Sequence, residues 1–126
     1  MKSHLMTLSA GILIGAAALQ GIHAQGAKPK AYSVAENEIL DKTAQAAYLP
    51  KARKAIDAAH GRALRTTAGS VVRIEGSAAP QSVAIVEWDS ADDAVAFYKS
   101  KAWTDLAPER DKATKTLRRY VVEVEK

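Results

Sequence analysis

Six side chains in this sequence have the means for chemistry or selective binding: Glu87, His60, Arg110, Tyr48, Tyr98 and Trp103. Glu87 lies near the end of an apolar run, Gln81–Trp88 (QSVAIVEW). Desolvation there would raise a carboxyl pKa and suit it to general acid or base work. The structural alternative is an ion pair with Arg110 or another cation, because such pairs also perturb carboxyl groups. His60 is the only histidine beyond position 24 and the one side chain whose ordinary pKa lies near neutrality. A place at a helix end favours its cation and is reason enough for it structurally. Arg110 offers a planar fork to an anionic substrate, or an ordinary ion pair. Tyr48, Tyr98 and Trp103 either line an aromatic pocket with polar tips or pack in the core with one hydrogen bond each. The catalytic candidates are therefore Glu87 and His60, and the ligand-binding candidates are Tyr48, Tyr98, Trp103 and Arg110.

Other chemistries are excluded or unsupported. The chain has no cysteine, so it has no thiolate metal site, cysteine nucleophile or disulfide. A lone His60 cannot build a two-histidine metal site within one chain, although two copies could share one. No Ser-His-Asp arrangement or phosphate-binding glycine loop is recognisable. Asp89–Asp93 lacks the ligand spacing of a calcium loop and reads as a helix start, where negative charge is favourable. No metal and no cofactor are expected. The formal net charge is only +4. The densest basic run, Lys51-Ala52-Arg53-Lys54, reads as the solvated face of a helix, so no nucleic-acid partner is expected.

The elements that must position these residues begin after an export signal. Met1–His4 is a short polar start carrying Lys2; Leu5–Leu19 has no charged residue; Gln20–Ala24 ends in a small residue. This is the layout of a cleavable secretory signal peptide over residues 1–24, with an apolar run too short to span a bilayer. The mature protein is expected in the periplasm or outside the cell, free of the membrane. Residues 25–30 (QGAKPK) read as a flexible leader, and residues 31–126 as one domain of roughly 100 residues.

Within that domain Ala31–Ile39 alternates as a strand, with Tyr32, Val34 and Glu36 on one face. Asp41 can cap a helix over 42–60, with a kink or restart expected at Pro50 and a terminus at Gly61. Gly61–Glu75 reads as a strand interrupted at Ala68-Gly69-Ser70, and Gly76–Pro80 as a loop. Gln81–Trp88 is the strongest strand, followed by a helix capped by Ser90, a break near Ser100, a helical stretch 108–116 and a last strand 117–125. The order β-α-β-β-α-β predicts an α+β, ferredoxin-like fold, an antiparallel sheet with both helices on one side. Its other face would expose Val, Ile and Trp side chains at roughly 25 cal/mol per Å2, and a second copy packed sheet to sheet would cover them.

Val86-Glu87-Trp88, then Ala94, Phe97-Tyr98, Ser100, Trp103, Leu106 and Arg110 at their present spacing, resemble the domain-of-unknown-function 1330 family. Tyr32, Tyr48, Gly61 and Gly76 agree with it, and the likeness runs over about residues 31–125. The family often has tyrosine where Trp103 stands and glycine where His60 stands. The resemblance implies a homodimer of the dimeric α/β-barrel group and no assigned activity; related barrels include monooxygenases, isomerases and dismutases.

Three functional readings follow. The first is an exported small-molecule-binding homodimer. The second is a cofactor-independent isomerase or monooxygenase-like enzyme on a small anionic or carbonyl compound, with Glu87 or His60 moving a proton and Arg110 orienting the substrate. The third is a structural or stress-related protein with no active pocket. Glu87 and Arg110 facing a common pocket would favour the first two.

Overall fold

Period-two alternation builds the first strand. In the computed structural model, which describes residues 28–67 and 70–125, β1 (Ala31–Ile39) buries Ala31, Ser33, Ala35 and Asn37 on one face. Tyr32, Val34 and Glu36 lie half-buried on the other. The expected signal peptide, half of the leader and the Ala68-Gly69 interruption fall outside the described residues. Asp41 then caps α1 (Lys42–Ala58), its carboxylate accepting from the Ala44 amide at 3.0 Å. Of the kink or restart expected at Pro50, the restart does not occur, and α1 runs through Pro50 as one helix. Pro50 and Ala46, whose carbonyl the ring leaves unpaired, are both exposed, so solvent can serve that carbonyl.

The turn after α1 reverses the expected roles of its two residues. His60 takes the left-handed conformation, with φ 66°. Gly61 is required by space instead. A Cβ there would lie 2.8 Å from Ile56 Cγ2 and 2.8 Å from the Trp88 ring. Gly61→Ala is accordingly expected to cost about 1–3 kcal/mol by overpacking. His60→Gly should not destabilise, since glycine adopts that φ freely. Paired urea denaturation curves check both; an unchanged midpoint for Gly61→Ala would refute the close packing.

The strand expected over Gly61–Glu75 is almost absent. β2 is Arg62–Ala63 alone, pairing with Glu87 and Val86. Beyond the Leu64 amide, which still bonds to the Ile85 carbonyl, the Thr66 hydroxyl takes the Val83 carbonyl at 2.6 Å. A side chain has replaced the next ladder donor there, and the strand peels away. Val72 and Ile74, read as strand residues, are exposed. β3 (Ser82–Trp88) follows, then α2 (Ala91–Lys99), whose Asp93 amide donates to the Ser90 hydroxyl at 3.2 Å. After α3 (Lys101–Thr104) and α4 (Ala107–Ala113), β4 spans Thr114–Glu123. It starts earlier than expected because residues 114–116 pair with β1 instead of extending the helix.

The protein is an α+β fold with a four-stranded antiparallel sheet in the order β2-β3-β1-β4. The helices lie on one face and the other is uncovered. On the helix side the registers align three rows across β3, β1 and β4: Val86–Ser33–Val121, Ala84–Ala35–Arg119 and Ser82–Asn37–Thr116. The first row belongs to the core. Trp88, expected on the bare face, is instead buried beneath the helices. Its ring packs against Phe97 at 5.1 Å between centroids, and its Nε1 donates to Ser33 Oγ at 3.0 Å. Ser33 Oγ in turn shares a 2.7 Å hydrogen bond with the Tyr98 hydroxyl. Among the described residues no helix is long and apolar enough to cross a membrane.

Candidate functional site

The second row of the sheet is not sealed by the helices. Ala84 faces them yet is exposed, because α1 stands off from β3 there. The gap is a cavity of about 170 Å3, smaller than the ~300 Å3 at the low end of drug-sized sites. Ala84 and Ala35, paired across adjacent strands, make a flat floor that ends at Arg119 on β4. Tyr48 and Ala52 of α1, Tyr98 of α2, Trp103 of α3 and Arg110 of α4 close the sides.

The four expected ligand-binding residues therefore surround one cavity. Trp103 is the hinge of their arrangement. It meets Tyr98 edge-to-face at 5.0 Å, the Arg110 guanidinium lies 4.2 Å from its centroid, and that of Arg119 lies 4.7 Å from it. Arg110 also donates to the Trp103 carbonyl at 3.3 Å. Two cations on one indole repel each other, and among the described residues neither forms an ion pair with a carboxylate. Burial draws the Arg119 pKa down, and the neighbouring Arg110 charge adds to that. Burial likewise raises the Tyr48 and Tyr98 hydroxyls, with Arg110 opposing the rise at Tyr48 and the Ser33 hydrogen bond opposing it at Tyr98. These phenols stay neutral near pH 7 and can offer a proton in a hydrogen bond.

Two further lining residues were not among the expected ones. Arg119 Nε and Asn37 Oδ1 are the two buried side-chain polar atoms without a hydrogen-bond partner among the described residues, and both residues line the cavity. Arg119 was detectable from alternation: placing Tyr120 and Val122 on the open face puts Arg119, a charge in a strand, on the helix side. Asn37 gave a comparable signal, since alternation that puts Tyr32, Val34 and Glu36 on one face of β1 puts Asn37 on the other. β1 and β4 slip between Glu36 and Asn37, leaving Leu117 as the extra residue of a β-bulge.

The two catalytic candidates are not at the cavity. Glu87 faces the uncovered side of the sheet, where it accepts from Lys30 at 2.8 Å and from Arg62 at 3.1 Å. Those hydrogen bonds lower its pKa, against the expected rise from desolvation. Nor is Arg110 its partner; the cations come from the leader and β2. The period-two geometry decides this: Glu87 pairs with Tyr32, one step out of phase with the inward Val86 and Trp88. His60 is exposed at the end of α1 and does not line the cavity. Among the described residues no group of three or more acidic, histidine or cysteine side chains could hold a metal.

Glu36 forms a second carboxylate cluster on the open face, accepting from Arg118 at 2.9 and 2.8 Å and from Tyr120 at 3.1 Å. The Arg118 bonds lower its pKa. A folded pKa below the unfolded value contributes stability that is present above the ordinary glutamate pKa of about 4.3 and is lost as pH falls through the lowered value. The Glu36→Gln/Glu87→Gln double variant is therefore expected to lose stability at pH 7 and to show a flatter decline below pH ~4.3. Urea midpoints measured between neutral and acid pH test this; parallel curves for the two proteins would refute it.

Comparison with known proteins agrees with this architecture. A protein of unknown function from Rhodopseudomonas palustris superposes with a TM-score of 0.57 at 12% identity, over 85% of this chain and 89% of that one. Its methylated form superposes at 0.56 and 11% identity, over 86% and 89%. A conserved protein of unknown function from Bacteroides thetaiotaomicron, described as a possible oxidoreductase, gives 0.50 at 9% identity, over 78% and 100%. At these identities the likeness is one of fold. No functionally curated protein matches the chain. The family profile of the domain of unknown function DUF1330 matches residues 30–124, nearly all of the domain whose strands and aromatic cluster are described above, and the chain belongs to that family.

Proposed function

We propose that this protein is a binding protein for a small organic anion, exported from the cell and active as a homodimer. The observation that carries the first part is the pair Arg110 and Arg119, two guanidinium groups on one indole, at a cavity that no carboxylate among the described residues lines. Arginine forks match carboxylate geometry in two parallel hydrogen bonds, and a partly desolvated site strengthens both. Binding is favoured over the enzyme reading as framed from sequence, because neither proposed proton carrier, Glu87 or His60, reaches the cavity.

Support for the dimer is the bare sheet face. Tyr120, Val122 and Val124 are exposed there, and Tyr32, Val34 and Ile85 continue the apolar surface. A contiguous apolar face of this kind is costly in water and typical of an interface. Support for export is the layout of residues 1–24.

Native mass spectrometry tests all three parts at once, on the full chain expressed in a bacterium and purified from the periplasm. The expected spectrum is a dimer of chains cleaved near Ala24 that releases a small anion on activation. An unprocessed chain would overturn the export reading, and a monomer would overturn the interface. The anion reading is tested by calorimetric titration with benzoate and its neutral methyl ester: benzoate is expected to bind and the ester not, and equal binding would overturn it.

A further inference from the structure

The binding reading leaves one polar atom unexplained. Asn37 is buried, and its Oδ1 has no donor among the described residues, although most buried polar atoms in folded proteins are paired. It sits in the row beside Ala84–Ala35–Arg119, two residues along β1 from Ala35. The alternation of β1 sets this position, and Asn37 stays in register with Ser82 of β3. Two residues that line the cavity thus each carry a buried atom unpartnered among the described residues, the donor Arg119 Nε and the acceptor Asn37 Oδ1. Residues on adjacent strands offset by two lie about 7–8 Å apart. Between and beside them is the flat Ala35–Ala84 floor, with Tyr98 and Trp103 as aromatic sides.

We infer that the pocket selects a small planar carboxylate that also carries a hydroxyl group, an aromatic hydroxy acid. Its carboxylate would take Arg119 and Arg110, its ring would lie on the two alanines, and its hydroxyl would donate to Asn37 Oδ1. The inference rests on the anion-binding reading and narrows it. A ring suits the floor because two alanines side by side leave no ridge. A monocyclic acid also suits a cavity of about 170 Å3. The hydroxyl is demanded by Asn37, whose carbonyl oxygen accepts and cannot donate. An acid without a donor would leave that oxygen as unpartnered as it is in the free protein.

The test is a calorimetric titration of the exported protein with benzoate and the three monohydroxybenzoates, repeated on Asn37→Leu. At least one isomer is expected to bind about 3- to 10-fold more tightly than benzoate, the worth of one neutral hydrogen bond. Asn37→Leu should erase that preference, so that benzoate and the three isomers bind alike. Equal affinity of benzoate and all three isomers would overturn the inference while leaving the anion site standing. So would a preference that survives Asn37→Leu. Failure of all four acids to bind would overturn the anion reading itself. Should Asn37→Leu not fold, the comparison of isomers on the unaltered protein decides the question alone.

Discussion

Replacing Arg119 by methionine is expected to weaken carboxylate binding roughly 10- to 150-fold while leaving the protein at least as stable as before. The two effects have one origin. Arg119 is substantially desolvated, faces the like charge of Arg110, and has an Nε without a partner among the described residues. A buried cation without an anion carries an uncompensated desolvation cost, and a well-packed apolar side chain of similar length relieves it. Its contacts with Tyr98 and Trp103, at 5.1 and 4.7 Å from the ring centroids, return only part of that cost. The loss of a charge-assisted hydrogen bond should weaken binding by about 1.5–3 kcal/mol, or roughly 10- to 150-fold. Calorimetry and a thermal melt on one preparation give both readings. A variant that binds normally would show that the ligand does not use Arg119. A variant with unchanged affinity and a lower melting temperature would make Arg119 a structural residue.

The second large effect belongs to Trp88. It is nearly fully buried, packs on Phe97 and Tyr98, fills the space that Gly61 leaves, and holds the Ser33 hydroxyl. Trp88→Ala should cost about 3–5 kcal/mol, a large share of the ~5–15 kcal/mol that holds a typical domain together. Trp88→Phe keeps the packing in part and loses the indole N–H, and should cost about 1–2 kcal/mol. Because Ser33 and the Tyr98 hydroxyl still pair in that variant, the cavity wall should persist and benzoate affinity should change little. Urea denaturation of the two variants tests the ranking. Equal losses would mean that the hydrogen bond, and not the ring, dominates.

The residues that were legible in the sequence are those whose neighbours along the chain decide their place. Alternation in AYSVAENEI gave both ends of β1, and Asp41 and Ser90 announced their helices because a cap bonds to amides two or three residues on. The aromatic residues Tyr48, Tyr98 and Trp103, with Arg110, were found by type and do line one cavity. What sequence could not supply were outcomes of pairing between distant strands. β2 stops at Ala63 because Thr66 captures the Val83 carbonyl, although Val71, Val72 and Ile74 have strand propensity. Glu87 was judged by the apolar run around it, whereas its environment is set by Lys30 and Arg62. Gly61 and His60 exchanged expected roles because the close approach of Trp88 outweighs the conformational preference for glycine at the helix terminus.

The strand order has a consequence for the time course of folding. β1 lies in the interior of the sheet, and both of its neighbours, β3 and β4, come later in the chain; Ala31 is held opposite Glu123. The floor of the cavity forms once β3 pairs with β1, but the row that carries Arg119 is not complete until β4 has docked. Contacts so distant in sequence slow the search for the native state. A nascent chain of this topology remains without the complete cavity until nearly all of the domain has been made, an interval that the proposed export would use.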